Sequence, residues 1–245
     1  MLLVASMAFQ LTMPEPAAGD VWRDWLADPD VRIITVGEVH GYSGPARLAR
    51  EILETAIADR SVALLVEAWE ADAITRFVES DGGPDAQRSL CEDVYAFGGR
   101  GGRGTIEWYE LLDLTREHFH AGADIGVFPI IPESGIRGRW DDEGAAMIRE
   151  QLAETGFDLA VGVMGNLHSR TRYPIAREAS LLSFGAELGG DDVRSINVVS
   201  SEHVAPDDGG ACGLSNMRVQ THDLVLCVAR QRPARFCDRF ESAGD

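Results

Sequence analysis

The sequence predicts an α/β protein: a largely parallel sheet flanked by helices on both faces, with two related halves sharing that sheet. Three observations predict it. Apolar runs rich in β-branched residues alternate with amphipathic helical text. Those runs lack polar–apolar alternation, as strands covered on both faces do. A short motif also recurs in the two halves of the chain.

The first strand is read over Val31 to Val36, closing at Gly37. Gly44 and Pro45 then open a helix, where a first-turn proline sacrifices no hydrogen bond, and Leu48, Ile52, Leu53, Ala56 and Ile57 share one face. Val62 to Val66 is a second buried strand that stops at Glu67, so these elements form a βαβ crossover, which makes parallel strands. From Trp69 to Gly122 the text is helical and less regular, its best apolar stripe being Trp108, Leu111, Leu112, Thr115 and Phe119. Asp124 to Ile131 reads as a strand, a helix around Ala145 to Ala153 follows, and Leu159 to Met164 is a strand ending at Gly165. Helical text from Ile175 to Leu188 leads to strands at Ile196 to Val199 and Leu224 to Ala229. The expected organisation is an N-terminal extension over 1–30, one α/β domain over 31–230 and a surface tail over 231–245, since 245 residues are within reach of one core.

The repeat pairs IITVGEVHG at Ile33 to Gly41 with AVGVMGNLHS at Ala160 to Ser169. Each is a buried strand that stops at Gly-x-x-His. A helix and a second strand follow in both halves, and then an acidic residue, Glu67 or Glu202.

Composition narrows the function. A formal net charge of -18 repels phosphate backbones and anionic headgroups, so no nucleic-acid partner is expected and neutral or cationic ligands fit better. All 22 basic residues are Arg, which excludes lysine Schiff bases and the lysine-dependent phosphate loop. Cys91, Cys212, Cys227 and Cys237 form no CxxC pair and read as small buried apolar residues, the three late ones being able to pair in an exported protein. Met1 to Leu11 is apolar but has no basic flank and no small-x-small cleavage site, so a cytoplasmic location is favoured over export. No stretch reaches the ~20 apolar residues of a membrane span. Oligomeric state stays open.

Ligands of parallel sheets sit outside the carboxyl ends of the strands. Glu38, His40, Glu67 and His168 occupy such ends, and Glu38 and His40, two apart, point to one side if strand geometry persists. A lone strand-end His or Glu is commonly a solvated turn residue. Four of them beside a core are better explained by a polar active site.

GEVHG at Gly37 to Gly41, the Glu67 that closes VALLVE, and GNLH at Gly165 to His168 resemble the motifs of the superfamily containing erythromycin esterases, ChaN-like haem-binding lipoproteins and Tiki metalloproteases. The likeness runs from about Val31 to the final strand and takes in Trp108-Tyr109 and the Arg-rich segment Arg137 to Arg139, ahead of the helix with Met147. It implies a parallel α/β fold with paired halves, and either lactone hydrolysis, metal-dependent peptide cleavage or haem binding.

The expected activity is therefore hydrolysis of an ester, lactone or amide in a small-molecule or peptide substrate. Two mechanisms are compatible. In one, His40 is a general base for water, Glu38 or Glu67 orients its ring, and His168 or Arg170 stabilises the oxyanion. In the other, Glu38, His40, Glu67 and His168 ligate a divalent Mn, Fe, Co or Zn ion. Tyr42, Arg139 and Arg170 are read as substrate-binding residues. The alternative is a haem- or iron-binding protein in which the same residues, or Tyr42, contact the cofactor.

Other features carry less. His118 and His120 are two apart on a helix, about 200° around it, so they do not grip one ion. GGRGGRG at Gly98 to Gly104 follows no strand and has no lysine; it reads as an exposed, mobile linker or a substrate lid. His203 and His222 are weak ligand candidates.

Overall fold

A computed structural model of the chain describes residues 21–95, 97, 104–131, 140–165, 168–170, 184–200, 222–228 and 235–241. In chain order the elements are α1 (Val21–Ala27), β1 (Ile33–Glu38), α2 (Gly44–Ala56), β2 (Val62–Val66), α3 (Ala71–Glu79), α4 (Pro84–Asp93), α5 (Ile106–His120), β3 (Ile125–Pro129), α6 (Trp140–Thr155), β4 (Leu159–Gly165), α7 (Phe184–Leu188), β5 (Val193–Ser200), β6 (Leu224–Val228) and α8 (Asp238–Glu241). The strands form one sheet in the order β3-β2-β4-β1-β5-β6, and every pairing is parallel. The expected α/β class is what the chain adopts.

Alternate residues of each strand serve opposite faces, and the core divides accordingly. Ile34, Val36, Leu64, Val66, Val161 and Val163 pack beneath α2, α3 and α5. Ile33, Ala63, Leu65, Ala160 and Met164 pack with Ala145, Ile148 and Leu152 of α6 and Leu188 of α7. Burial of each such side chain contributes about 1.5–3 kcal/mol. Two covered faces explain why these strands read as continuous apolar runs.

The crossovers from β1 to β2 and from β4 to β5 each skip one strand, which leaves β1 and β4 side by side. Their register pairs Gly37 with Met164 and Glu38 with Gly165, so the two Gly-x-x-His motifs leave the sheet at the same height. Exchanging β1, β2 and β3 for β4, β5 and β6 and reading the order backwards returns the same order.

Three expectations need correction. The tail after Arg230 is not all surface: Phe236 is fully buried and Cys237 nearly so, because Phe236 stacks on Tyr109 with ring centroids 3.8 Å apart. The cysteine that Cys237 meets is not another late one but Cys91, across 146 positions. Phe119 leaves the α5 stripe and is 40% exposed. The core also takes in Trp22 of α1, ahead of the first strand.

Residues 235–241 thus form a strap over the start of α5. Phe236 N donates to Gly104 O at 2.8 Å, Arg235 bridges to Thr105, and a side chain on Gly104 would strike the carbonyl oxygen of Phe97. Thr105 caps the helix, accepting from Trp108 N. On the other face, Arg149 of α6 grips Asp192 before β5 and the carbonyls of Leu188 and Gly189.

Two outcomes follow from these ties. Removing the disulfide as the Cys91→Ala, Cys237→Ala pair should lower the unfolding free energy by about 2–5 kcal/mol, the upper end being the loop-entropy value for a closure of this length; chemical denaturation checks it. The Arg149 hydrogen bonds hold the Asp192 carboxyl below the usual carboxylate range, against an opposing contribution from burial. A depressed native pKa stabilises above the unfolded value and that stability is lost as pH falls through the native one. Asp192→Asn should therefore be destabilised relative to the parent at neutral pH, with the gap closing below about pH 4 in urea melts.

Candidate functional site

Glu38 ends β1 on the side of Ile34 and Val36, and its side chain is only 1% exposed. A carboxylate so buried needs donors on both oxygens, and it has them. His40 Nδ1 lies 2.9 Å from Oε1, and Trp108 Nε1 donates to Oε2 at 3.1 Å from the first turn of α5. Gly41 makes the reversal into α2 at a φ of 87°, a left-handed conformation that glycine adopts freely. An ionised carboxylate only accepts, so against one His40 Nδ1 is the donor, and the ring is half-exposed.

A second imidazole–carboxylate dyad stands on the opposite face. His168 Nδ1 lies 2.9 Å from Asp141 Oδ1, in the first turn of α6. The turn carrying His168 is closed by its own N–H and that of Ser169 on Gly165 O, and Gly185 N donates to His168 O. Around Asp141 the potential is negative: burial, then the carboxylates of Asp142 and Asp141, hold Glu187 above the usual carboxylate range.

Glu67 follows β2 and accepts from Gly165 N at 2.6 Å, tying the ends of β2 and β4 together. Gly165 is where everything meets. A methyl group placed on its Cα would lie 3.3 Å from His168 Cδ2, 3.6 Å from His40 Cε1 and 3.7 Å from Glu67 Oε2. The four strand-end residues expected to share a site therefore do come together, the two rings well inside the ~10 Å that one bridging group spans.

The carboxylate that orients His40 is Glu38, and the one that orients His168 is Asp141, which sequence reasoning missed. Acidic residues in a first helical turn ordinarily complement the helix dipole, and the DDE at Asp141 to Glu143 is indistinguishable from that use in sequence. Tyr42 and Arg170 are half-buried and flank His40 and His168 in the chain. Arg139 and His203 lie outside the described residues, as does the Gly98 to Gly104 segment apart from Gly104, which is buried. His222 is buried with its Nε2 3.0 Å from Ser169 Oγ. His120 bonds Ser80 O instead of sharing an ion with His118.

Among the described residues, no group of three or more His, Cys, Asp or Glu side chains is arranged to hold a metal ion. Both Glu38 oxygens and one Glu67 oxygen already accept hydrogen bonds. A cavity at the opposite, amino-terminal edge of the sheet, lined by Arg32, Asp59, Arg60 and Asp158, shares no residue with the dyads.

No protein-family model and no curated protein matches the chain. Two solved structures are similar to it. One is the type III effector HopBA1, with a TM-score of 0.53 and 15% identity over 89% of this chain and 96% of that one. The other is a Bacillus cereus protein, with a TM-score of 0.48 and 13% identity over 76% of this chain and 70% of that one. At such identities the likeness to the effector concerns the fold alone.

The convergence on Gly165 is open to a direct test. Gly165→Ala should shift the ring resonances of both His40 and His168 while changing the unfolding free energy by no more than about 1 kcal/mol. A response from one ring alone would mean that they do not share a cleft.

Proposed function

We propose that this chain hydrolyses an ester, lactone or amide bond by general base catalysis without a metal ion, and that it is a divergent member of the erythromycin esterase, ChaN and Tiki superfamily with two duplicated halves. The observation that carries the reading is the pair of imidazole–carboxylate dyads facing each other over Gly165. The reversible strand order supports the duplication.

In this reading His40 Nε2 takes a proton from water, Glu38 steadies the resulting imidazolium, and the water oxygen bonds to the carbonyl carbon. The proton that His40 took up passes to the oxygen or nitrogen that leaves as the tetrahedral carbon collapses, which returns His40 to its starting state and balances the protons. His168, held by Asp141, lines the other side of the cleft over Gly165. Arg170 and Tyr42 are close enough in the chain to these rings to contact the substrate. The acidity of the protein favours a neutral or cationic substrate.

His40→Ala should lower turnover of a responsive ester or lactone by at least ~100-fold, with an unchanged far-ultraviolet circular dichroism spectrum. Activity within a few fold of the parent would remove His40 from the chemistry. A Soret band in the protein as purified would shift the reading to the haem-binding alternative.

A further inference from the structure

Aromatic side chains in this protein are mostly core. Among the described residues the large apolar side chains that stay exposed are Trp69 at 53%, Tyr95 at 51% and Phe119 at 40%. Phe119 lies eleven residues along α5 from Trp108, about 16 Å from the sheet edge. Trp69 and Tyr95 are different, because both stand where the candidate site is built. Trp69 is two residues past Glu67, so their Cα atoms are at most about 7 Å apart, and the Glu67 carboxylate reaches Gly165. Tyr95 comes two residues after α4, and it is its ring contact with Trp69 that brings it to the same place.

The two rings meet edge to face, with centroids 6.5 Å apart and planes at 72°. That contact uses one ring's edge and one ring's face, and half of each side chain remains turned to solvent. Together they make an open corner with two apolar walls. Its chemistry is not neutral in sign. Ring faces attract cations, the next residue, Glu70, has a buried carboxylate oxygen with no hydrogen-bond partner, and the chain carries a net charge of -18.

We propose that Trp69 and Tyr95 form a substrate subsite beside Gly165, which holds an aromatic or alicyclic ring, neutral or cationic, on the part of the substrate that is not cleaved. The subsite rests on the hydrolase reading for its role, and on exposure and position for its existence. It places the ring on the β2 side of the cleft and the scissile carbonyl over Gly165. Binding there would be worth most to substrates whose ring and carbonyl are separated by a short spacer.

The test uses the full chain and two probes of opposite charge, 1-methylquinolinium and 2-naphthalenesulfonate, with affinities from titration calorimetry. The quinolinium should bind the parent and His40→Ala alike, bind Trp69→Ala at least ~10-fold more weakly, and outcompete the sulfonate. Tyr95→Ala should weaken it in the same direction. In turnover, Trp69→Ala should raise KM for methyl 2-naphthylacetate and leave kcat/KM for methyl acetate unchanged. Equal quinolinium affinity in parent and Trp69→Ala, or equal binding of the sulfonate, overturns the subsite. Trp69-dependent binding in a protein that hydrolyses neither ester keeps the subsite and sinks the hydrolase reading. Hydrolysis of both esters with an unchanged KM in Trp69→Ala does the reverse.

Discussion

A carboxylate at the end of β1, withdrawn from water, sets terms for the elements around it. An ion with Glu38's exposure costs several kcal/mol unless its oxygens are satisfied. One donor, His40 Nδ1, is local and comes from the turn after the strand. The other, Trp108 Nε1, belongs to a helix seventy residues away. The start of α5 must therefore reach the sheet edge, and the Thr105 cap, the tight approach at Gly104 and the strap at Phe236 all act on that one turn. What is oriented in the end is an imidazole two residues from the carboxylate.

The sheet brings a second imidazole to meet the first. Because each crossover skips a strand, β1 and β4 are neighbours whose chains depart in opposite directions, and such a switch point opens a crevice at the carboxyl edge. The dyads approach it from different faces, Glu38 and His40 from the α5 side and Asp141 and His168 from the α6 side. Gly165 stands between them with no side chain, and a methyl group there would touch both rings.

Much of this was legible in the sequence, for definite reasons. Doubly covered strands show themselves as unbroken runs such as VALLV, and strand ends in a parallel sheet are where ionisable residues stand out, so Glu38, His40, Glu67 and His168 were found by position alone. Asp141 was hidden because an acidic first turn serves any helix. Trp108 looked like one more apolar residue in a stripe, since nothing in sequence separates an indole that packs from one that also donates. The buried tail escaped because Phe236 and Cys237 are too few to make a period, and their burial depends on Tyr109 and Cys91 far back in the chain.

The strap has a consequence for how the protein comes into being. Translation delivers α5 more than a hundred residues before Phe236 and Cys237, the residues that close over its start. A growing chain can pair β1 with β4 and bury most of its core while that turn still lacks its cover. The indole donor to Glu38 gains its full support only when the strap has emerged and Cys237 has found Cys91, so the wall of the crevice is finished after the sheet is.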